Sequence, residues 1–125
     1  MASSILNVAS GPGRDMYEAL KVVGPARVNI DCVEQDIRAI DYAKTLCQDS
    51  LSQIRFIHRN VFRFSADRSY DLIWSAGLFD YFNDHIFKRT IKRLKTFLNP
   101  TGRIVIGNFS ESNPTRGYME LSPWH

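Results

Sequence analysis

The residues best placed to do chemistry lie in a glycine turn, Ala9-Ser10-Gly11-Pro12-Gly13-Arg14-Asp15. Gly11 and Gly13 let the backbone turn sharply and let a ligand approach where a Cβ would clash. The start of the helix expected after them offers free N–H groups to an anionic group. Glu34 stands about 20 residues beyond the turn, at the end of a second predicted strand, where a carboxylate can accept both hydroxyl hydrogens of a ribose. Asp31, nearer the middle of that strand, is the weaker candidate. Turn and acid together suit a nucleotide-like ligand.

Which nucleotide turns on what is missing. A dinucleotide fingerprint needs a third glycine at position 16, where the chain has Met16, and no Gly-Lys-Ser/Thr of a phosphate loop is present. Cys32 and Cys47 have neither CxxC spacing nor a histidine cluster, so they read as buried reduced thiols, with no metal site.

These residues need elements to hold them. Ser4–Ala9 is a short apolar run that stops at the glycine turn, and Arg14–Val23 carries Met16, Ala19, Leu20 and Val23 at helical spacing. Arg27–Glu34 alternates as a strand. Asp36 is placed to cap a helix running to about Cys47, with Ile37, Ile40, Ala43, Leu46 and Cys47 on one face. Strands are expected at Ile54–His58 and Tyr70–Ser75, and the segment Arg59–Ser69 between them is too short and polar for a long helix. Asn83–Leu98 carries Ile86, Phe87, Ile91, Leu94, Phe97 and Leu98 as one apolar stripe, and Asn99-Pro100-Thr101-Gly102 ends it before a strand at Arg103–Asn108. The tail from Ser110 shows no period. Strands alternating with helices predict a parallel sheet with right-handed crossovers.

The 125 residues, 44% of them hydrophobic, allow one domain with one core. No long apolar run and no signal peptide is visible, so the chain is expected to be cytoplasmic with no membrane span. The net charge of +3 comes largely from Lys88, Arg89, Lys92, Arg93 and Lys95 on one helix, which read as a solvated face rather than a nucleic-acid surface.

With these residues in place, the chain resembles the class I S-adenosylmethionine-dependent methyltransferases. Ile5-Leu6-Asn7-Val8-Ala9-Ser10-Gly11-Pro12-Gly13 follows the family's first motif, with Asn7 for its acid and Ala9 for its first glycine. Glu34 matches the ribose-binding acid, Ala39 and Ala43 the small residues of the next helix, and Leu98-Asn99-Pro100-Thr101-Gly102 the turn before the fifth strand. The resemblance implies a Rossmann-like α/β fold, a three-layer sandwich with a mostly parallel sheet of about five strands in the order 3-2-1-4-5 and helices on both faces. It implies a cofactor-binding core at residues 1–109 and a tail at 110–125 that begins a substrate-side segment, the domain being truncated before strands six and seven. S-adenosyl-L-methionine is the implied cofactor, held by Asn7, Ala9, Ser10, Gly11, Pro12, Gly13, Arg14, Asp15, Glu34, Gln35, Asn60, Val61, Ser75, Ala76 and Gly77. Asn60, where the family has an Asp facing the adenine amine, retains an amide oxygen for that hydrogen bond.

A narrower resemblance, carried by Ala76-Gly77-Leu78-Phe79-Asp80-Tyr81-Phe82, Gly107-Asn108-Phe109 and Asn113-Pro114-Thr115-Arg116-Gly117-Tyr118-Met119-Glu120, is to bacterial proteins of the extracellular-factor type, associated with making 3-hydroxypalmitic acid methyl ester. It implies a fatty-acid carboxylate or another small molecule as acceptor. Methyl transfer is an in-line displacement, so the protein supplies proximity and orientation, and an ionised carboxylate needs no general base. Asp80 and Tyr81 are the candidate catalytic residues, equally open to reading as part of a loop packed by Leu78, Phe79 and Phe82. The Asn/Asp-Pro-Pro-Tyr/Phe of base amino-methyltransferases is absent after the fourth strand. A cofactor-binding module without catalysis and a NAD-binding oxidoreductase domain are the competing readings.

Overall fold

The computed structural model describes residues 3–8, 28–76, 84–110 and 113–121. The helix expected at Arg14–Val23 lies outside them. Five strands run parallel: β1 (Ser3–Val8), β2 (Val28–Glu34), β3 (Ile54–His58), β4 (Tyr70–Ala76) and β5 (Leu98–Ser110). A sixth, β6 (Asn113–Leu121), pairs antiparallel with β5, and the sheet order is β3-β2-β1-β4-β5-β6. The five parallel strands have the expected 3-2-1-4-5 order of a Rossmann-like sheet.

β6 corrects the expectation that regular structure ends before a sixth strand. Pro114 and Gly117 interrupt any strand pattern in the tail, but an edge strand tolerates both, and β5 supplies the pairing from outside the segment.

Alternation along the strands separates two cores. On one face Leu6, Val8, Val33, Ile73, Ile104 and Ile106 pack with Ile91 and Leu94 of α2 (Asp84–Lys95). On the other, Val28, Ile30 and Cys32 pack with Cys47, which caps the end of α1 (Ile37–Leu46). Helices therefore cover both faces, as a parallel sheet requires. Asp36 caps α1 as its residue type predicts, its carboxylate accepting the Arg38 N–H at 2.9 Å. That bond holds its carboxyl below the ordinary range. Ile37 departs from the expected apolar face: in the first turn of α1 it is 49% exposed. Both cysteines are buried and outside any disulfide, and burial pushes both thiols up.

α2 ends three residues before the expected Leu98. Thr96 and Phe97 donate their N–H groups to Arg93 and Leu94 in a tight closing turn, and the Phe97 ring meets Phe64 edge-on at 5.9 Å. The Asn99–Gly102 stretch is then an irregularity within β5: Tyr70 pairs with Leu98, but Leu72 pairs with Arg103. A Cβ on Gly102 would stand 2.9 Å from the Tyr70 carbonyl oxygen and 3.1 Å from that of Asn99. Because those are backbone atoms with little room to retreat, Gly102→Ala is expected to cost about 1–3 kcal/mol, as overpacking does. Urea unfolding checks this, and an unchanged midpoint would show that the bulge yields freely.

Among the described residues no helix is long and apolar enough to cross a membrane.

Candidate cofactor site

Parallel strands bring their C-terminal ends to one edge, and the described candidates gather there. Val8 is in register with Val33, and Glu34 with His58, so the ends of β1, β2 and β3 are level. Glu34 is buried, 9% exposed, and its Oε2 accepts the Asp36 N–H at 2.9 Å. Its carbonyl oxygen accepts the Arg59 N–H at 3.0 Å. The carboxylate is thus built into the strand end rather than lying loosely on its surface.

The loop after β2 is clasped to the loop after β3. Asn60 donates from Nδ2 to Gln35 Oε1 at 2.9 Å, and its Oδ1 accepts the Phe62 N–H at 2.8 Å. His58 Nε2 lies 2.8 Å from the Gln35 carbonyl oxygen; since a carbonyl only accepts, the ring donates from that nitrogen. Arg63 and Phe64 both donate their N–H groups to the Asn60 carbonyl oxygen at 3.0 Å, completing a turn seeded by an asparagine. Gln35, His58, Arg59, Asn60 and Arg63 line a depression of about 350 Å³. Asn60 keeps one lone pair on its amide oxygen, the other being committed to Phe62. Val61 is half-buried and packs against the α2-side core.

Asn7 is 4% exposed, in register with Cys32 and Trp74, and its amide hydrogen-bonds the Cys32 thiol, opposing the upward push of burial. Ser75 is 1% exposed and its hydroxyl has no hydrogen-bond partner among the described residues. Ala76 ends β4, in register with Gly107. Ala9, Ser10, Gly11, Pro12, Gly13, Arg14, Asp15, Gly77, Asp80 and Tyr81 lie outside the described residues.

Asp31 has different employment. It is 6% exposed, accepts from Arg55 Nε and Nη2 at 3.0 and 2.9 Å, and accepts from the Tyr70 hydroxyl at 2.6 Å. Arg55 also bonds Asp67, which in turn meets Arg68. Hydrogen bonding to Asp31, then to Asp67, holds Arg55 firmly charged, while burial and then Asp31 push the Tyr70 phenol up. This network ties β2 to β3 and β4.

The sequence reading missed His58, Arg59 and Arg63 as members of this edge. His58 closes β3 opposite Glu34, so the strand prediction itself carried the signal; the two arginines follow only from the Asn60 turn.

A doubly wound sheet with an acidic residue ending its second strand defines the class of nucleotide-binding α/β domains. Residues 5–102 match the model of the family described as methyltransferase domain. The chain belongs to that family. No protein of curated function matches in sequence. Among solved structures, the chain is similar to the complex titled DhpI-SAM-HEP, at 16% identity and a TM-score of 0.71, covering 86% of this chain and 47% of that one. It is similar to a TehB-like SAM-dependent methyltransferase from Corynebacterium glutamicum, at 24% identity and 0.67, covering 88% and 56%. A SAM-dependent methyltransferase from Thiobacillus denitrificans, solved with S-adenosyl-L-homocysteine, matches at 17% identity and 0.67, covering 86% and 42%. At these identities the likeness is one of fold, and the chain spans about half of each structure's length.

Proposed function

We propose that this chain binds S-adenosylmethionine and forms the core of an enzyme that methylates a small-molecule or fatty-acid carboxylate. The observation that carries the reading is Glu34, a buried carboxylate held at the C-terminal end of β2 by the Asp36 N–H. A ribose needs a fixed acceptor pair at that position, and a preorganised carboxylate gives charge-assisted hydrogen bonds. Gln35, Asn60 and Val61 flank it, and their clasp offers amide groups and an apolar side chain to an adenine ring. Asn7 and Ser75, each one residue before the end of its strand, stand in β1 and β4 on the methionine side, and the glycine turn, with Ala76 and Gly77, completes the proposed contacts. When bound, the cofactor supplies an electrophilic sulfonium methyl group.

The chain's own residues orient the acceptor. Asp80 and Tyr81, following β4, are proposed to touch it. An acceptor carboxylate is already ionised at neutral pH, so neither has to remove a proton. The extracellular-factor likeness of the segments around Asp80 and after Gly107 supports the fatty-acid acceptor, and the residues from 110 onward are proposed to begin the substrate side. A cytoplasmic place belongs to the same proposal, supported by two buried thiols outside any disulfide.

Calorimetry with S-adenosylhomocysteine and NADH side by side tests the cofactor. S-adenosylhomocysteine is expected to bind and NADH not; tight NADH binding alone would sink the reading. Transfer of labelled methyl from S-adenosylmethionine to palmitate or 3-hydroxypalmitate by the whole protein tests the acceptor. Cofactor binding without transfer to any acid or hydroxyl acceptor would favour a binding module.

A further inference from the structure

The chain crosses from β3 to β4 through Arg59–Ser69 without a helix, so that among the described residues no helix covers one flank of α2. A groove of about 740 Å³ lies there. Val61, Phe62, Ile86 and Leu94 contribute its apolar wall, and Phe62 and Ile86 are 46% and 37% exposed although α2 otherwise turns its apolar stripe inward. The rim is cationic: Arg89, Lys92 and Arg93 line it, and among the described residues no carboxylate does. Arg93 spends its guanidinium on the carbonyl oxygens of Phe62 and Phe64, which fixes the far wall. Arg89 and Lys92 take no part in the ion pairs formed among the described residues.

We infer that this groove is a binding site for a single-chain amphiphilic anion, an apolar chain carrying one acidic head. The chain lies on Phe62, Ile86 and Leu94, and the head meets Arg89 and Lys92. Size decides for a small molecule over a protein partner: small-molecule pockets span roughly 300–1,000 Å³, whereas a standard protein interface takes about 20–30 residues a side. Nine of the described residues line this groove. A second copy of the chain is disfavoured as well, because a twofold contact here would set one cationic rim against the same cationic rim of its partner. The inference stands on the groove alone and does not depend on the proposed methyl transfer or its acceptor.

Calorimetry of the whole chain with laurate, dodecyl phosphate and dodecyltrimethylammonium, each below its micelle concentration, tests it. Both anions are expected to bind, and the cation at least about tenfold more weakly. The double variant Arg89→Glu/Lys92→Glu, whose side chains are exposed, should lower laurate affinity by about tenfold or more. Phe62→Ser should weaken both anions, and Lys44→Glu on α1 should leave them unchanged. Equal binding of laurate and the cation, or full affinity in the charge-reversed variant, would overturn the assignment. So would failure of both anions to bind while the protein sediments with phosphatidylglycerol vesicles, which would make the face a membrane surface. Laurate binding that survives Glu34→Gln while cofactor binding is lost would keep this site even if the proposed cofactor site fails.

Discussion

Replacing Glu34 by glutamine should weaken S-adenosylhomocysteine binding by about tenfold or more. A hydrogen bond to a charged group is worth about 1.5–3 kcal/mol, and each tenfold in affinity about 1.4 kcal/mol. Glutamine keeps the shape and one acceptor oxygen but replaces the other with a donor, so a ribose that offers two hydroxyls loses at least one partner. The sequence suggested that this change would leave the unliganded protein nearly as stable, with Glu34 at the open end of a strand. Its burial and its bond to the Asp36 N–H alter that expectation: a loss of up to about 1 kcal/mol should accompany the change, since the group now anchors the entry to α1. Calorimetry with thermal unfolding in parallel separates the two effects. Unchanged affinity in the folded variant would remove Glu34 from the ribose position.

The larger effect on stability should come from Asp31→Ala, at about 2–3 kcal/mol. The change strips three hydrogen bonds from one buried carboxylate, two from Arg55 and one from Tyr70. Removing one partner of a buried pair reaches roughly 3–5 kcal/mol where the remaining charge stays buried. Here the Arg55 side chain is 43% exposed and can regain water, and it keeps Asp67, so the lower range applies. The Tyr70 hydroxyl, on a residue 1% exposed, has no such relief. Asp31→Asn should cost less, because an amide oxygen still accepts from Tyr70. Urea unfolding gives the stabilities, and cofactor affinity, measured where each variant is folded, should hold near that of the parent. If Asp31→Asn weakens binding more than Glu34→Gln, the ribose acceptor moves three residues back along β2.

That pair of residues shows where the sequence stopped being sufficient. Period-2 alternation placed Val28, Ile30 and Cys32 on one face of β2 and left both Asp31 and Glu34 as acids on one strand. The bounds of β1 to β4 and the Asp36 cap were legible because short-range patterning leaves few alternatives, whereas the 3-2-1-4-5 order came from the family resemblance and the early start of β5 at Leu98 was not foreseen. The glycine turn and the candidates Asp80 and Tyr81 lie outside the described residues, so their roles rest on residue type and spacing.

Much else depends on partners distant in sequence. Asp31 turned out to be committed because Arg55 and Tyr70, 24 and 39 residues away, converge on it through strand pairing. Asn60 was singled out only by the family resemblance, as the position facing the adenine amine, and its clasp on Gln35 requires β2 and β3 to be neighbours. The tail from Asn113 became a strand because β5 presented an edge, despite the Pro and Gly that spoil its local pattern. Ile86 belonged to the apolar stripe of α2 by spacing, yet the stripe is wider than the sheet can cover where the β3–β4 crossover forms no helix. Local propensity and periodicity thus determined which elements form and which faces are apolar. Which acid is tied into the ion pairs between strands and which apolar face stays open among the described residues were decided by tertiary contacts, because a side chain's surroundings depend on every group that reaches it.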